Sequence, residues 1–269
     1  MKNPRLSALP GSLLLLLPLC AVLAAAVLPG ITRLAAVLPL LLLPPVKYIY
    51  CVCRLRELAG AGLEEAADFI LGPGSFFTGM LQRRGEIIPF LKENFPSPPA
   101  AVAEIGRAKG GTLMLLCRAA APDALIISLD LPGAIHSGPV PALNKGAWRL
   151  PLLRAMAGPG QDLRLIDGDS KLPSSTALFE GALDGRKLDL LFIDGDHTWE
   201  GVKSDYETYS RFVRPGGVIA FHDIQPGLED FGVAVSRFWR TAHLPGTRKE
   251  YIEDPAQVSY GIGALRLPG

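Results

Sequence analysis

The chain is poor in the groups that most often announce a protein's chemistry. Its 269 residues hold four cysteines, Cys20, Cys51, Cys53 and Cys117, and no C-x-x-C pair. Neither a zinc site nor a disulfide framework is indicated, and the catalytic part reads as reduced and cytosol-facing. Charge of one sign is missing as well: 27 Lys+Arg stand against 26 Asp+Glu. With no basic stripe and no RNA-binding signature, electrostatics makes no case for a nucleic-acid partner. There is no G-x-S-x-G elbow, which disfavours a serine hydrolase. The G-x-G-x-x-G dinucleotide fingerprint is also missing, which disfavours an NAD-dependent oxidoreductase.

The first quarter lacks charge almost entirely. From Leu13 to Val46 the one charged residue is Arg33, in a run of Leu, Ala, Val and Pro. Leu13–Leu28 and Ile31–Val46 each fall short of the ~20 residues of a spanning helix. Pro29-Gly30 between them fits the turn of a membrane hairpin. Lys2 and Arg5 before the run, and Lys47, Arg54 and Arg56 after it, would keep both ends in the cytoplasm. A cleaved signal peptide ending near Ala24-Ala25-Ala26 and a single longer span are the alternatives. Residues 1–54 are therefore expected to be a membrane-associated segment, residues 55–99 a helical adaptor, and residues 100–269 the catalytic domain, facing the cytoplasm.

Beyond residue 100, apolar strands alternate with helices. Strands are expected at Ala101–Ile105, Ala124–Leu129, Asp162–Ile166, Leu188–Ile193 and Val218–Phe221, with helices between them and two β-like runs at Lys249–Ile252 and Ser259–Leu267. This pattern predicts a doubly wound, mostly parallel α/β sheet. The most informative stretch is Leu188 to Gln225, LDLLFIDGDHTWEGVKSDYETYSRFVRPGGVIAFHDIQ. Two apolar runs there each stop on a carboxylate with a histidine close by. The intervening helix is long enough to make them parallel neighbours, and ligands bind at the carboxyl ends of such strands.

Candidate site residues follow from these strand ends. Gly106 and Gly110-Gly111 sit between a strand and a helix, as a ligand-cradling loop or a plain tight turn. Asp130, ending the second strand, is placed for a ribose diol. Asp169 and Ser170 either read an adenine edge or cap the next helix. His197, three residues past Asp194, suits removal of a hydroxyl proton, the alternative being that Asp196 and His197 cap the helix Thr198–Ser210. Asp205 and Tyr206 on that helix read as a solvated face and a packing residue.

The ordered set EIG-x-x-x-GG, SLD, IDGDS and LLFIDGDHTWEGVKSDYETYSRFVRPGGVIAFHDI resembles the class I S-adenosylmethionine-dependent methyltransferases. The resemblance is to the branch of cephalosporin-hydroxylase-like proteins and sugar O-methyltransferases, over roughly Gln82 to the C-terminus. It implies a seven-stranded Rossmann-like sheet with an antiparallel last strand. It also implies Glu104 and Gly106 beside the methionine moiety, and Gly110 and Gly111 at the helix start. Asp130 would lie on the ribose, Asp169 and Ser170 beside adenine, and Asp194 near the sulfonium or a metal. The matching metal set is Asp194, His222 and Asp223. His222 stands where that group carries an oxygen ligand, which leaves Mg²⁺ on two aspartates, a softer divalent cation, or no metal.

The function these readings imply is S-adenosylmethionine-dependent O-methylation of a sugar, glycolipid or other small molecule, with Asp194 and His197 catalytic. A membrane-anchored nucleotide-binding protein of the same fold without catalysis is the alternative, favoured by Arg107 and Lys109 in the glycine loop and by His222.

Overall fold

The computed structural model describes residues 45–131, 133 and 146–269. The chain divides into two compact units, Met1–Arg54 and Leu55–Gly269. In the first, residues 45–54 are helical, and the rest of the expected membrane segment lies outside the described residues. Among the described residues no helix is long and apolar enough to cross a membrane.

The second unit opens with helices α1 (Leu63–Leu71), α2 (Ser75–Thr78) and α3 (Arg84–Asn94). Then strand and helix alternate: β1 (Ala101–Ile105), α4 (Gly111–Ala119), β2 (Leu125–Asp130), α5 (Leu150–Met156), β3 (Asp162–Asp167), α6 (Pro173–Leu183), β4 (Leu188–Ile193), α7 (Trp199–Tyr209), β5 (Val213–His222), α8 (Val235–Thr241), β6 (Thr247–Tyr251) and β7 (Ile262–Arg266). One seven-stranded sheet has the order β3-β2-β1-β4-β5-β7-β6. β1 to β5 run parallel, and β7 is antiparallel to both β5 and β6.

Composition sorts the strands by position. β1, β2 and β4 are near-continuous apolar runs, as strands covered on both faces must be. β6, TRKEY, is exposed along most of its length and lies at the sheet edge, where charge discourages pairing with another chain. Side chains alternate across the sheet. Ala103, Ile105, Ile127, Leu129, Leu191, Ile193, Ile219 and Phe221 face one core with Phe179, Tyr209, Phe238 and Trp239. On the opposite face Phe192 meets Phe90 of α3 edge to face, with centroids 6.1 Å apart.

Register decides where the chemistry falls. Ile105 pairs with both Leu129 and Ile193, and Ile193 pairs with Phe221. The residues following these, Gly106, Asp130, Asp194 and His222, therefore stand in one row along the carboxyl edge. The strand order reverses between β1 and β4, the switch point at which open α/β sheets leave a crevice. Here the backbones nearly touch. Gly106 has φ +91°, and a Cβ on it would stand 1.9 Å from the Asp194 carbonyl oxygen. Gly106→Ala combines left-handed strain with a main-chain clash and is expected to lose about 3 kcal/mol or more. Urea unfolding monitored by circular dichroism measures that loss.

Candidate functional site

A cavity of about 370 Å³ opens at this edge, within the ~300–1,000 Å³ usual for small-molecule pockets. Gly106, Asp130, Asp169, Ser170, Asp194 and His197 line it, together with Leu81, Ala108, Lys171 and Asp196. Glu104, Gly110, Gly111, His222 and Asp223 do not line it.

Asp130 grips the glycine turn. Its Oδ1 accepts from the Arg107 and Ala108 backbone N–H groups at 2.9 and 3.3 Å. Its Oδ2 is buried with no partner among the described residues, on a side chain that lines the cavity. Buried polar atoms are rarely left so, and a ligand hydroxyl is the partner this oxygen suits. The Arg107 guanidinium turns away, donating to Asp167 at 2.5 Å and to the Ser128 carbonyl at 3.2 Å.

Pleat parity explains why Glu104 is off the cavity. It pairs in register with Ser128 on the α4 face, and the Ser128 hydroxyl donates to it at 2.7 Å. Complete burial pushes its carboxyl up to about 8. Gly110 opens α4 in the left-handed region at φ +85°. Gly111 lets the helix start close on the Gly79–Met80 backbone, where a Cβ would sit 2.8 Å from Gly79 atoms. Both glycines serve chain geometry at this point.

The two capping alternatives come out differently. The N-cap of α6 is Leu172, and Asp169 instead accepts from the Lys171 N–H at 2.9 Å in a local turn. Tyr209 of α7 donates its hydroxyl to the Ser170 carbonyl at 2.8 Å. For α7 the cap is Thr198, whose hydroxyl accepts from Gly201 N–H at 3.0 Å; Asp196 supports that helix start by accepting from the Thr198 N–H at 3.0 Å, while His197 faces Asp194 and Asp223 instead. Lys171 and Asp196 form an ion pair at 2.8 Å between the two loops that line the cavity.

His197 is held at both ring nitrogens. Nε2 lies 3.1 Å from Asp194 Oδ1 and Nδ1 lies 3.1 Å from Asp223 Oδ2. Behind it, His222 Nδ1 is 3.1 Å from Asp194 Oδ1 and 3.5 Å from Asp223 Oδ1. Burial works against a charged ring, but the hydrogen bonds and charges of Asp194 and Asp223 overcome it and lift His197 to about 10. Against the same burial, the two imidazoles hold both aspartates below the usual carboxylate range. A ring donating at both nitrogens is an imidazolium.

The expected metal set comes together, yet it offers Mg²⁺ no free carboxylate oxygen, while His222 Nε2 is buried without a partner among the described residues. Asp194 Oδ1 faces two imidazoles and Oδ2 accepts from Gln82 Nε2 at 2.6 Å. Asp223 Oδ1 accepts from the Ser259 hydroxyl and the Tyr260 N–H, both at 2.9 Å, and Oδ2 faces His197. All four oxygens are taken by donors, and Mg²⁺ needs free oxygens. Among the described residues no group of three His, Cys, Asp or Glu is spaced to hold a metal ion.

Asp205 corrects an expectation: it is fully buried, not solvated. Gly201, Asp205 and Tyr209 share the inward stripe of α7 at four-residue spacing, the signal by which it was legible. Burial pushes its carboxyl up to about 7. Gln82 and Leu81 carried no such signal, because Gln82 lies 112 residues from the aspartate it holds.

Residues 103–224 match the family model described as a methyltransferase domain. A 38-residue stretch is 47% identical to the uncharacterized protein R132 of Acanthamoeba polyphaga mimivirus, covering 14% of this chain and 17% of that relative's length. Among solved structures, the calicheamicin methyltransferase CalS11 superposes with a TM-score of 0.51 at 15% identity, over 81% of this chain and 91% of its own. Cofactor-bound Rv0187 from MTB gives 0.50 at 18% identity, over 77% and 88%. At such identities the likeness is one of fold, and the fold is the Rossmann-like methyltransferase sheet with its antiparallel seventh strand.

The His197 clamp sets a pH dependence of stability. A pKa raised from 6.5 to about 10 contributes stability that is complete below 6.5 and lost as pH rises through about 10. The unfolding midpoint of the wild type is expected to fall across that window. His197→Gln should flatten this slope, as differential scanning fluorimetry across the range would reveal.

Proposed function

On the premise that residues 103–224 form a class I methyltransferase domain, we propose that this protein is an S-adenosylmethionine-dependent O-methyltransferase acting on a hydroxyl of a small molecule. The observation that carries the reading is the convergence of Asp130, Asp194 and His197 on one cavity at the switch point of the sheet. S-adenosylmethionine, when bound, supplies an electrophilic methyl group on a sulfonium.

The residues fit that group. Asp130 offers an unpaired carboxylate oxygen for ribose hydroxyls. Asp169 and Ser170 supply the wall beside the base, and the Gly106 turn lets the backbone approach closely. His197 takes the proton of the attacking hydroxyl once the ring is neutral and Nε2, which faces Asp194 in this structure, has turned to the hydroxyl, with Asp223 holding Nδ1. Holding the two reactants in line accounts for much of the rate gain. No step is assigned to a metal.

The alternative without catalysis loses its supports, because Arg107, Lys109 and His222 do not line the cavity. A sugar or glycolipid acceptor, and a membrane-associated chain with its catalytic domain on the cytoplasmic side, rest on the sequence: the motif resemblance and the Leu13–Val46 run with its basic flanks. A membrane-tethered enzyme of this kind is expected to methylate membrane extracts and to leave soluble glycans untouched. Equal turnover of both would count against the glycolipid.

His197→Ala is expected to lower kcat by about 100-fold, with S-adenosylhomocysteine affinity changed less than about threefold. Asp130→Ala should do the reverse, weakening that affinity by about tenfold or more through the lost charged hydrogen bonds. Isothermal titration calorimetry and single-turnover methyl transfer separate the two. Because the base must be neutral, kcat is expected to climb with pH above 7 in the wild type, and this limb should vanish in His197→Ala. Wild-type turnover in His197→Ala would exclude the base assignment.

A further inference from the structure

The two carboxylates around His197 are both held from one short segment that precedes the family-matched domain. Gln82 is 2% exposed, and its Nε2 donates to Asp194 Oδ2 at 2.6 Å. Its amide cannot turn over, because Thr112 at the start of α4 donates to Oε1 at 2.5 Å. One turn further on, Glu86 of α3 is fully buried. It accepts from Gln257 Nε2 at 2.5 Å and from the Gly261 N–H at 3.1 Å. Between those two donors lie Ser259 and Tyr260, the pair that holds Asp223.

That second contact needs a tether. Asp223, Ser259 and Tyr260 all have positive φ, at 61°, 64° and 62°. Non-glycine residues pay for this conformation and keep it only where their surroundings over-determine it. Glu86 grips the 257–261 turn from below, and the Arg83 guanidinium lies over the Tyr260 ring at 5.0 Å. One segment, residues 82–86, thus fixes Asp194 directly and Asp223 through the turn.

We propose that Gln82 and Glu86 are positioning residues for methyl transfer, setting the separation of Asp194 and Asp223 and with it the orientation of the His197 ring. The proposal rests on the methyl-transfer reading above. It predicts that the segment before the recognised domain is part of the catalytic machinery, and that its polar groups act through His197.

A double-mutant cycle tests this on the full chain. Gln82→Met keeps the volume and removes the amide. It is expected to lower kcat about tenfold, with S-adenosylhomocysteine affinity changed less than about threefold. In a His197→Ala background it should lower kcat no further. Glu86→Gln, which keeps shape and one acceptor, should show the same non-additivity. If Gln82→Met fails to fold, as judged by circular dichroism, the Glu86→Gln cycle decides the matter. An equal drop in both backgrounds, or wild-type turnover in a folded variant, would overturn the proposal. Nuclear magnetic resonance of the His197 imidazole in cofactor-free protein gives a readout independent of turnover. Its ring signals should shift in Gln82→Met, and unchanged signals would also overturn the positioning role. A shifted ring with no methyl transfer by the wild type would instead count against the functional reading alone.

Discussion

The whole site depends on one contact between two pieces of main chain. Gly106 after β1 lies against the Asp194 carbonyl after β4, closer than any side chain permits. Hydrogen bonds lock the approach, with Gly106 N–H donating to Leu129 O and Asp194 N–H donating to Ile105 O. Parallel pairing of β1 with both β2 and β4 therefore carries straight into the loops. Asp130 then ties the turn down from the other side through the Arg107 and Ala108 amides. The cavity exists because these loops are pinned at their roots and diverge above them.

Electrostatics imposes a second constraint. Two aspartates and two histidines meet in a buried cluster, and isolated buried charges are costly enough that they must be paired. Here each aspartate faces imidazole, and each remaining carboxylate oxygen takes an amide, hydroxyl or backbone donor. This pairing accounts for the state of the cluster. The carboxylates are held ionised and His197 is held protonated. The site stores a proton on His197, at the wall of the cavity.

The helices before β1 are more than an adaptor. α3 packs Phe90 against Phe192 and Tyr251, joining the first helices to the centre and the far edge of the sheet. Next to that packed base Gln82 meets Asp194, and Glu86 meets the 257–261 turn whose Ser259 and Tyr260 hold Asp223. Glu86 stands on this helix, and Gln82 lies in the bend just before its first turn.

Sequence alone determined the sheet and its order of chemistry. The apolar runs, their spacing and the glycine and proline breaks set five parallel strands and the two terminal ones, because strand periodicity and crossover length are local properties. It also put Gly106, Asp130, Asp169, Ser170, Asp194 and His197 at strand ends, which is where the cavity lies. What it left undecided is everything set by pairing across the chain. Glu104 is turned from the cavity by pleat parity, and Asp205 is buried by the face α7 presents. The metal set is filled by imidazole and amide donors. Gln82 meets Asp194 across 112 residues, an approach created when α3 and β4 pack on one sheet. Residue type and spacing fix local conformation, whereas the partner of a buried polar atom is chosen by the tertiary fold, which must pair it or leave it to a ligand.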